Sequence, residues 1–322
     1  MPEQLFVCGD ARLSRRDGTI LVAGGGRKTS FPIETVRHVV WVGDGIVSSK
    51  LLQLLGRSGV RLSVFDHEGW FKGAFEPAER PNSGEIRLRQ AALVLDGRRR
   101  LSMARRIVAA ALHNIRAVLA YHAYRGNRCL DAAMAELARR IAEAGTAPDI
   151  PSLMGVEGNA RKAYYAAWTD IDPRLDFGPR VRRPPNNPVN CLISFLNGLT
   201  YAAMRHEIAK THLDDGFAFL HAASSSRSSL ALDLTEPFKP VLCDRLIHRM
   251  IRKGELRDGW FDRKPGVCLL TEAGRRDIVA RFTERLERDG NAGIRKRMHE
   301  EALAVERHLL GIAEYEPYRE KL

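Results

Sequence analysis

Glu76-Pro77-Ala78-Glu79-Arg80-Pro81-Asn82-Ser83-Gly84 divides the chain. Two prolines and a closing Asn-Ser-Gly deny this stretch a regular helix or strand, and it reads as a linker. Upstream, the apolar runs are short and β-branched. Leu5-Phe6-Val7-Cys8 ends at Gly9-Asp10. Leu13 to Arg16 and Thr19-Ile20-Leu21-Val22 flank Asp17-Gly18, a hairpin signal. Val39-Val40-Trp41-Val42 and Val60 to Phe65 read as strands, with a short helix at Lys50 to Leu55 between them, and Trp70 to Phe75 is a last strand. Downstream the period changes. Ile107, Ala111, Ile115, Val118 and Leu119 recur at helical spacing, and Asp131 to Ala144 is a second amphipathic helix. Asn187-Pro188 is a helix start, cap then first turn, for a helix to about Lys210. Leu232 to Arg252, Glu272 to Arg288 and Arg295 to Ala313 complete the helical set. The expected fold class is α+β: a small N-terminal β-rich domain (1–78), a linker (79–86) and a larger all-α domain (87–322).

The composition agrees with two globular domains. The 322 residues are 44% apolar and 28% charged, which excludes disordered, collagenous and low-complexity classes. No apolar run approaches the ~18 residues of a membrane span. Met1 to Arg12 lacks the basic stretch and apolar core of a secretory leader. Five scattered cysteines, never in a Cys-x-x-Cys pair, speak against a disulfide framework or a cysteine zinc site and for a cytoplasmic protein. The net charge is +12, and it is unevenly placed. Residues 1–80 hold 11 basic and 9 acidic side chains, against 40 and 30 in 81–322. A polyanion partner and a merely basic protein both fit that excess.

Gly24-Gly25-Gly26-Arg27-Lys28-Thr29-Ser30 mimics a phosphate-binding loop but has the wrong spacing, because Arg27 separates glycine from lysine. It reads as a hairpin turn. On the helix after Pro188, Asn190, Ser194, Asn197 and Tyr201 line one face. That face is either solvated or a buried hydrogen-bonding face near a site. Arg180-Val181-Arg182-Arg183-Pro184-Pro185 is extended and basic, suited to phosphate contacts or to solvent. Asp233 and Glu236 stand three apart and share a helical face, downstream of His221. The helix dipole at an N-terminal turn would explain them. So would a metal site, and an imidazole with carboxylates suits Mg²⁺ or Mn²⁺ better than structural zinc.

Taken together, several segments carry a resemblance. They run Glu157-Gly158-Asn159-Ala160-Arg161-Lys162-Ala163-Tyr164-Tyr165, Arg182-Arg183-Pro184-Pro185, and Pro188-Val189-Asn190 with Ser194. Gly216-Phe217, Phe219-Leu220-His221, Leu230-Ala231-Leu232-Asp233-Leu234 with Glu236, and Pro237-Phe238-Lys239-Pro240 follow. In this order and rough spacing the chain resembles the universal CRISPR-associated integrase, the DNA endonuclease of spacer acquisition in antiviral defence. The likeness spans nearly the whole chain. It implies an N-terminal dimerisation domain and a helical catalytic domain. It implies Mg²⁺ or Mn²⁺ held by Glu157, His221 and Glu236, with Asp233 as a further catalytic position. It also implies metal-dependent strand transfer of the 3′-hydroxyls of a short DNA duplex into a CRISPR repeat. The implied partners are double-stranded DNA, a second copy of the chain and the small second CRISPR-associated adaptation protein. The candidates for DNA contact are Arg161, Lys162, Arg182, Arg183, Asn190, Ser194, Arg245, Arg249, Arg252 and Lys253. One departure stands out: the loop after His221 is Ser-rich (224–229), where the family carries Gly and Pro. A metal-free role for His221 as general base is the second reading of that residue. The competing functions are a nuclease on branched or damaged DNA, a non-catalytic DNA-binding scaffold, and a small-molecule metallohydrolase, which the basic excess disfavours.

Overall fold

The structure is a computed structural model that describes residues 4–78, 81–222, 228–288 and 293–321. Glu79 and Arg80 of the linker, and Ser224-Ser225-Ser226-Arg227 of the Ser-rich loop, lie outside these residues. The chain forms two compact units. The first holds the chain through Pro81, Val181–Ala202 and Arg257–Glu287; the second holds Asn82–Arg180, Ala203–Leu256 and Arg288 onward.

The first unit is built on two four-stranded sheets. β1 (Gln4–Cys8), β5 (His38–Val42) and β7 (Arg61–Phe65) run parallel, and β8 (Phe71–Phe75) pairs antiparallel with β7. Every residue of the central β5 is buried, which is why Val39-Val40-Trp41-Val42 is a continuous apolar run rather than an alternating one. The second sheet orders β4 (Arg27–Pro32), β3 (Thr19–Gly24), β2 (Ala11–Arg16) and β6 (Gly45–Val47). The β2–β3 hairpin turns at Asp17-Gly18 with Asp17 in the left-handed region (φ 51°), a conformation that aspartate tolerates. The glycine-rich stretch is the β3–β4 turn, and Arg27 to Ser30 lie in β4. Ser48 caps α1 (Ser49–Arg57), its Oγ accepting from the Leu51 amide at 3.3 Å. Leu51 and Leu55 then join Leu13, Ile20, Val39 and Leu62 in one core cluster. The same unit carries a hairpin, β9 (Phe261–Lys264) with β10 (Val267–Leu270), inside the 87–322 segment that the sequence reading takes as all-α. Its strands are four residues each, too short to show a period.

The second unit is helical: α2 (Gly84–Leu95), α3 (Gly97–Tyr124), α4 (Asp131–Thr146), α5 (Ile150–Ala166) and the short α6 (Trp168–Ile171) come first. α2 starts within the expected linker, because Ser83 caps it through the Ile86 amide. The division between the units falls inside α7 (Pro188–Ile208). After it come α8 (Ser229–Thr235) and α9 (Arg245–Arg252), with a π-helical turn at Pro240–Asp244 between them. α10 (Glu272–Glu287) belongs to the first unit and α11 (Ile294–Leu309) to the second. The long α3 is the spine, burying Ile107, Ala111, Ile115, Val118 and Leu119. Among the described residues no helix is long and apolar enough to cross a membrane.

Candidate functional site

Three segments of the helical unit bring the candidate residues together. α5 starts at Asp149, whose carboxylate caps the Ser152 amide at 2.8 Å, and it presents Glu157 two turns on. Arg161, one turn further, pairs with Glu157 and also with Glu236 just past the end of α8. One guanidinium therefore bridges two carboxylates from different helices. Lys239 adds a second cation on Glu236 at 2.6 Å. Burial pushes the Glu236 carboxyl up, but the Lys239 and Arg161 charges outweigh it and bring the group down to about 2. Burial likewise opposes the charge on Arg161, yet Glu157 and Glu236 hold its pKa well above the usual guanidinium value. The result is a nearly dry cluster in which Glu157 and Glu236 meet Arg161 and Lys239.

His221 is placed by Asp233, which is fully buried. Asp233 Oδ2 accepts the amides of Phe219 (2.6 Å) and Leu220 (2.8 Å). Its Oδ1 accepts the His221 amide (3.0 Å) and stands 2.7 Å from His221 Nδ1. With three amide donors on it the carboxylate is an acceptor, so Nδ1 donates and Nε2 of the neutral ring carries the lone pair. Ser228 caps α8 through the Ala231 amide, fixing the helix on which Asp233 sits. Glu236 follows because Asp233 and Glu236 lie on one face of that turn. Asp233 is thus an orienting group with its acceptor sites filled, and the donors left for a ligand are His221 Nε2 and the carboxylates of Glu157 and Glu236. Imidazole with carboxylate oxygens is the donor chemistry of a hard or borderline divalent cation. Among the described residues no three His, Cys, Asp or Glu side chains stand together at ligand spacing. The Arg161 guanidinium instead takes the place between the two glutamates.

The DNA-contact candidates divide by environment. Lys162, Arg182, Arg183, Arg252 and Lys253 are exposed, and Arg183 lies over the Trp70 ring at 4.8 Å. Arg245 is held by Glu320 at 3.0 Å, and Arg249 is half-buried. Arg161 is committed to the two glutamates. Asn190 and Ser194 are buried. The Asn190 carboxamide accepts the Val181 amide (3.2 Å) and donates to Asn186 (2.9 Å), so it pins the start of the basic loop. Asn190, Ser194 and Tyr201 are buried, so that helix face is not a solvated one. Sequence reasoning missed Lys239 and the bridging role of Arg161. The signals were there: Glu157 and Arg161 are four apart, and Glu236 and Lys239 three apart. It also missed Asp244, buried beside the site, whose carboxyl burial raises to about 7, with Tyr164 Oη donating to it at 3.1 Å.

Known proteins share this arrangement's fold and sequence. A family profile described as CRISPR associated protein Cas1 matches residues 5–284. The CRISPR-associated endonuclease Cas1 2 of Moorella thermoacetica is 34% identical, with 98% of each chain covered. A Cas1 protein from Thermotoga maritima has a TM-score of 0.88 and 29% identity, covering 99% of this chain and 100% of its own. A casposase bound to integration product shares the fold at 19% identity (TM-score 0.86, 99% of this chain and 96% of that one). With both the strand-rich and the helical segments matched, and with near-complete coverage in both directions, the chain belongs to the CRISPR-associated Cas1 family.

Proposed function

We propose that this protein is a metal-dependent DNA endonuclease and integrase of CRISPR adaptation. It joins the 3′-hydroxyls of a short DNA duplex to a phosphodiester of the CRISPR repeat by transesterification. The observation that carries the reading is the Glu157–Arg161–Glu236 bridge with His221 beside it, its ring fixed by Asp233. Glu157, His221 and Glu236 would hold Mg²⁺ or Mn²⁺. When bound, the ion supplies Lewis-acid stabilisation of charge on the attacked phosphate and the reacting oxygens. Asp233 keeps the His221 proton on Nδ1. Arg161 and Lys239 hold Glu236 ionised, and Arg161 ties the two carboxylates together. Arg182, Arg183, Lys162, Arg252 and Lys253 supply affinity for duplex DNA through its phosphates, which costs the protein no sequence preference. In this reading residues 1–78 form the dimerisation domain and 87–322 the catalytic one. The dimer works in the cytoplasm with the small second adaptation protein, two dimers bridged by a central dimer of that partner. The joining reaction matches the casposase, which shares the fold and is bound to integration product.

The test is a strand-transfer assay. The purified protein, with its partner, is mixed with a labelled duplex bearing free 3′-hydroxyls and a supercoiled plasmid carrying a CRISPR repeat. Mn²⁺, Mg²⁺ and EDTA are compared, beside His221→Ala. Label joined to plasmid only with metal, and only with His221 present, is the expected result. Metal-dependent cutting without joining would establish the nuclease instead. Joining that survives EDTA would make His221 a metal-free general base.

A further inference from the structure

Residues 310–321, which follow α11, have no regular secondary structure, yet Tyr315 and Pro317 within them are buried. Tyr315 is fully buried, its hydroxyl donating to Glu301 at 2.5 Å while its carbonyl accepts from Arg106 at 2.8 Å. The Tyr318 amide donates to the other Glu301 oxygen at 2.8 Å. The contacts beyond this point converge on the turn that carries Glu236. Asn114, without exposed surface in the middle of α3, donates Nδ2 to the Pro237 carbonyl (2.7 Å) and to the Tyr318 carbonyl (3.1 Å). Its Oδ1 accepts the Glu320 amide at 2.7 Å. The Tyr318 ring lies flat on Phe238, with centroids 5.0 Å apart and planes 10° from parallel.

The turn needs such support for a chemical reason. Pro237 and Pro240 have no N–H. Neither the Asp233 nor the Glu236 carbonyl can therefore receive its usual helical donor four residues on, and the chain widens into the π-helical turn at Pro240–Asp244. The Asp233 carbonyl takes the Glu236 amide three residues on instead, at 3.1 Å, so the Glu236 turn lacks the two four-residue bonds that would tie it into a continuous helix. Asn114 and the Phe238–Tyr318 stack hold that turn from outside the helix.

We propose that the C-terminal segment 312–321 is a strut for the Glu236 turn, with Asn114 and Tyr318 as positioning residues for the metal-binding carboxylate. This rests on the reading of Glu236 as a metal ligand. Supporting groups of this kind are worth about 10- to 100-fold in metal affinity.

The test uses the full-length protein and Mn²⁺ alone as probe, with free ion followed by electron paramagnetic resonance. Tyr318→Ala, Tyr318→Phe, Asn114→Ser and Glu236→Gln are compared with the parent, and far-UV circular dichroism reports folding. Tyr318→Ala and Asn114→Ser should each weaken Mn²⁺ binding about tenfold or more. The Mn²⁺ concentration for half-maximal joining should rise by the same factor. Tyr318→Phe, which keeps the stack, should restore most of the affinity. Folded Tyr318→Ala with parental Mn²⁺ binding, beside a weakened Glu236→Gln, would overturn the strut alone. Parental binding in Glu236→Gln would overturn the ligand reading, and the strut with it. Should Tyr318→Ala not fold, Tyr318→Leu, which fills the space without a flat ring, is judged by the same criteria.

Discussion

Asp233→Asn separates orientation from ligation, because it leaves Glu157, His221 and Glu236 in place. The carboxylate meets four N–H groups, those of Phe219, Leu220 and His221 and the His221 Nδ1. An Asn has one acceptor oxygen. Turned toward Phe219 and Leu220 it keeps those two bonds and sets its NH₂ against the His221 amide. One bond to a charged acceptor is lost and one buried donor is left unsatisfied. Together these cost about 2–4 kcal/mol, since the two losses overlap. The ring responds as well. Nδ1 now faces a donor and must accept, so the proton moves to Nε2 and the lone pair turned outward disappears. Urea denaturation at neutral pH should therefore show the stability loss. ¹⁵N-histidine NMR should show the Nδ1–H tautomer in the parent and Nε2–H in the variant. Mn²⁺ affinity should fall at least about tenfold with every ligand residue intact. A stability loss under about 1 kcal/mol, or an unchanged tautomer with parental Mn²⁺ binding, would refute this account of Asp233.

Three further outcomes follow from the geometry. Glu157→Ala should abolish joining while duplex affinity stays within about threefold in competition binding, because phosphate contacts supply most of that affinity; equal losses of both would sink the division of labour. Arg183→Ala should lower the slope of log affinity against log salt by about one if its guanidinium meets a phosphate, and an unchanged slope removes it from the DNA surface. Burial raises the Glu301 carboxyl from its ordinary 4.5 to about 7, against the bonds from Tyr315 and Tyr318. The folded protein thus keeps a proton that the unfolded chain releases between these values, so this group's stabilisation falls as pH rises from about 4.5 to 7. The loss comes to about 3 kcal/mol. Glu301→Gln should flatten that part of the pH–stability profile in thermal melts, and a parental slope would contradict the burial argument.

Much of the fold was legible because local patterns sufficed. Asp17-Gly18 between two β-branched runs specifies a tight hairpin whatever surrounds it. The apolar spacing of Ile107, Ala111, Ile115, Val118 and Leu119 specifies one buried face of α3. Asn187 ahead of Pro188 specifies where α7 begins, its Oδ1 accepting the Asn190 amide at 2.9 Å. Short elements were not legible: β6 has three residues and β9 and β10 four each, less than a pattern needs.

For the site, residue types and spacing were enough to nominate His221, Asp233 and Glu236 and to name the chemistry they suit, while Glu157 was nominated only by the family resemblance its segment carries. Their roles depend on which groups meet across long stretches of chain. Whether Asp233 coordinates or orients turns on the amides of Phe219, Leu220 and His221, which fill its oxygens. Whether Arg161 faces DNA or the two glutamates turns on where α8 ends relative to α5. The part played by Asn114 and Tyr318 has no local signature at all, since a buried amide and an aromatic ring read as ordinary core until the C-terminal segment folds back on Pro237 and Phe238. Local backbone preference and periodicity are written in neighbouring residues, whereas hydrogen-bond partners and burial, which set the state and direction of each functional group, exist only once distant segments have packed.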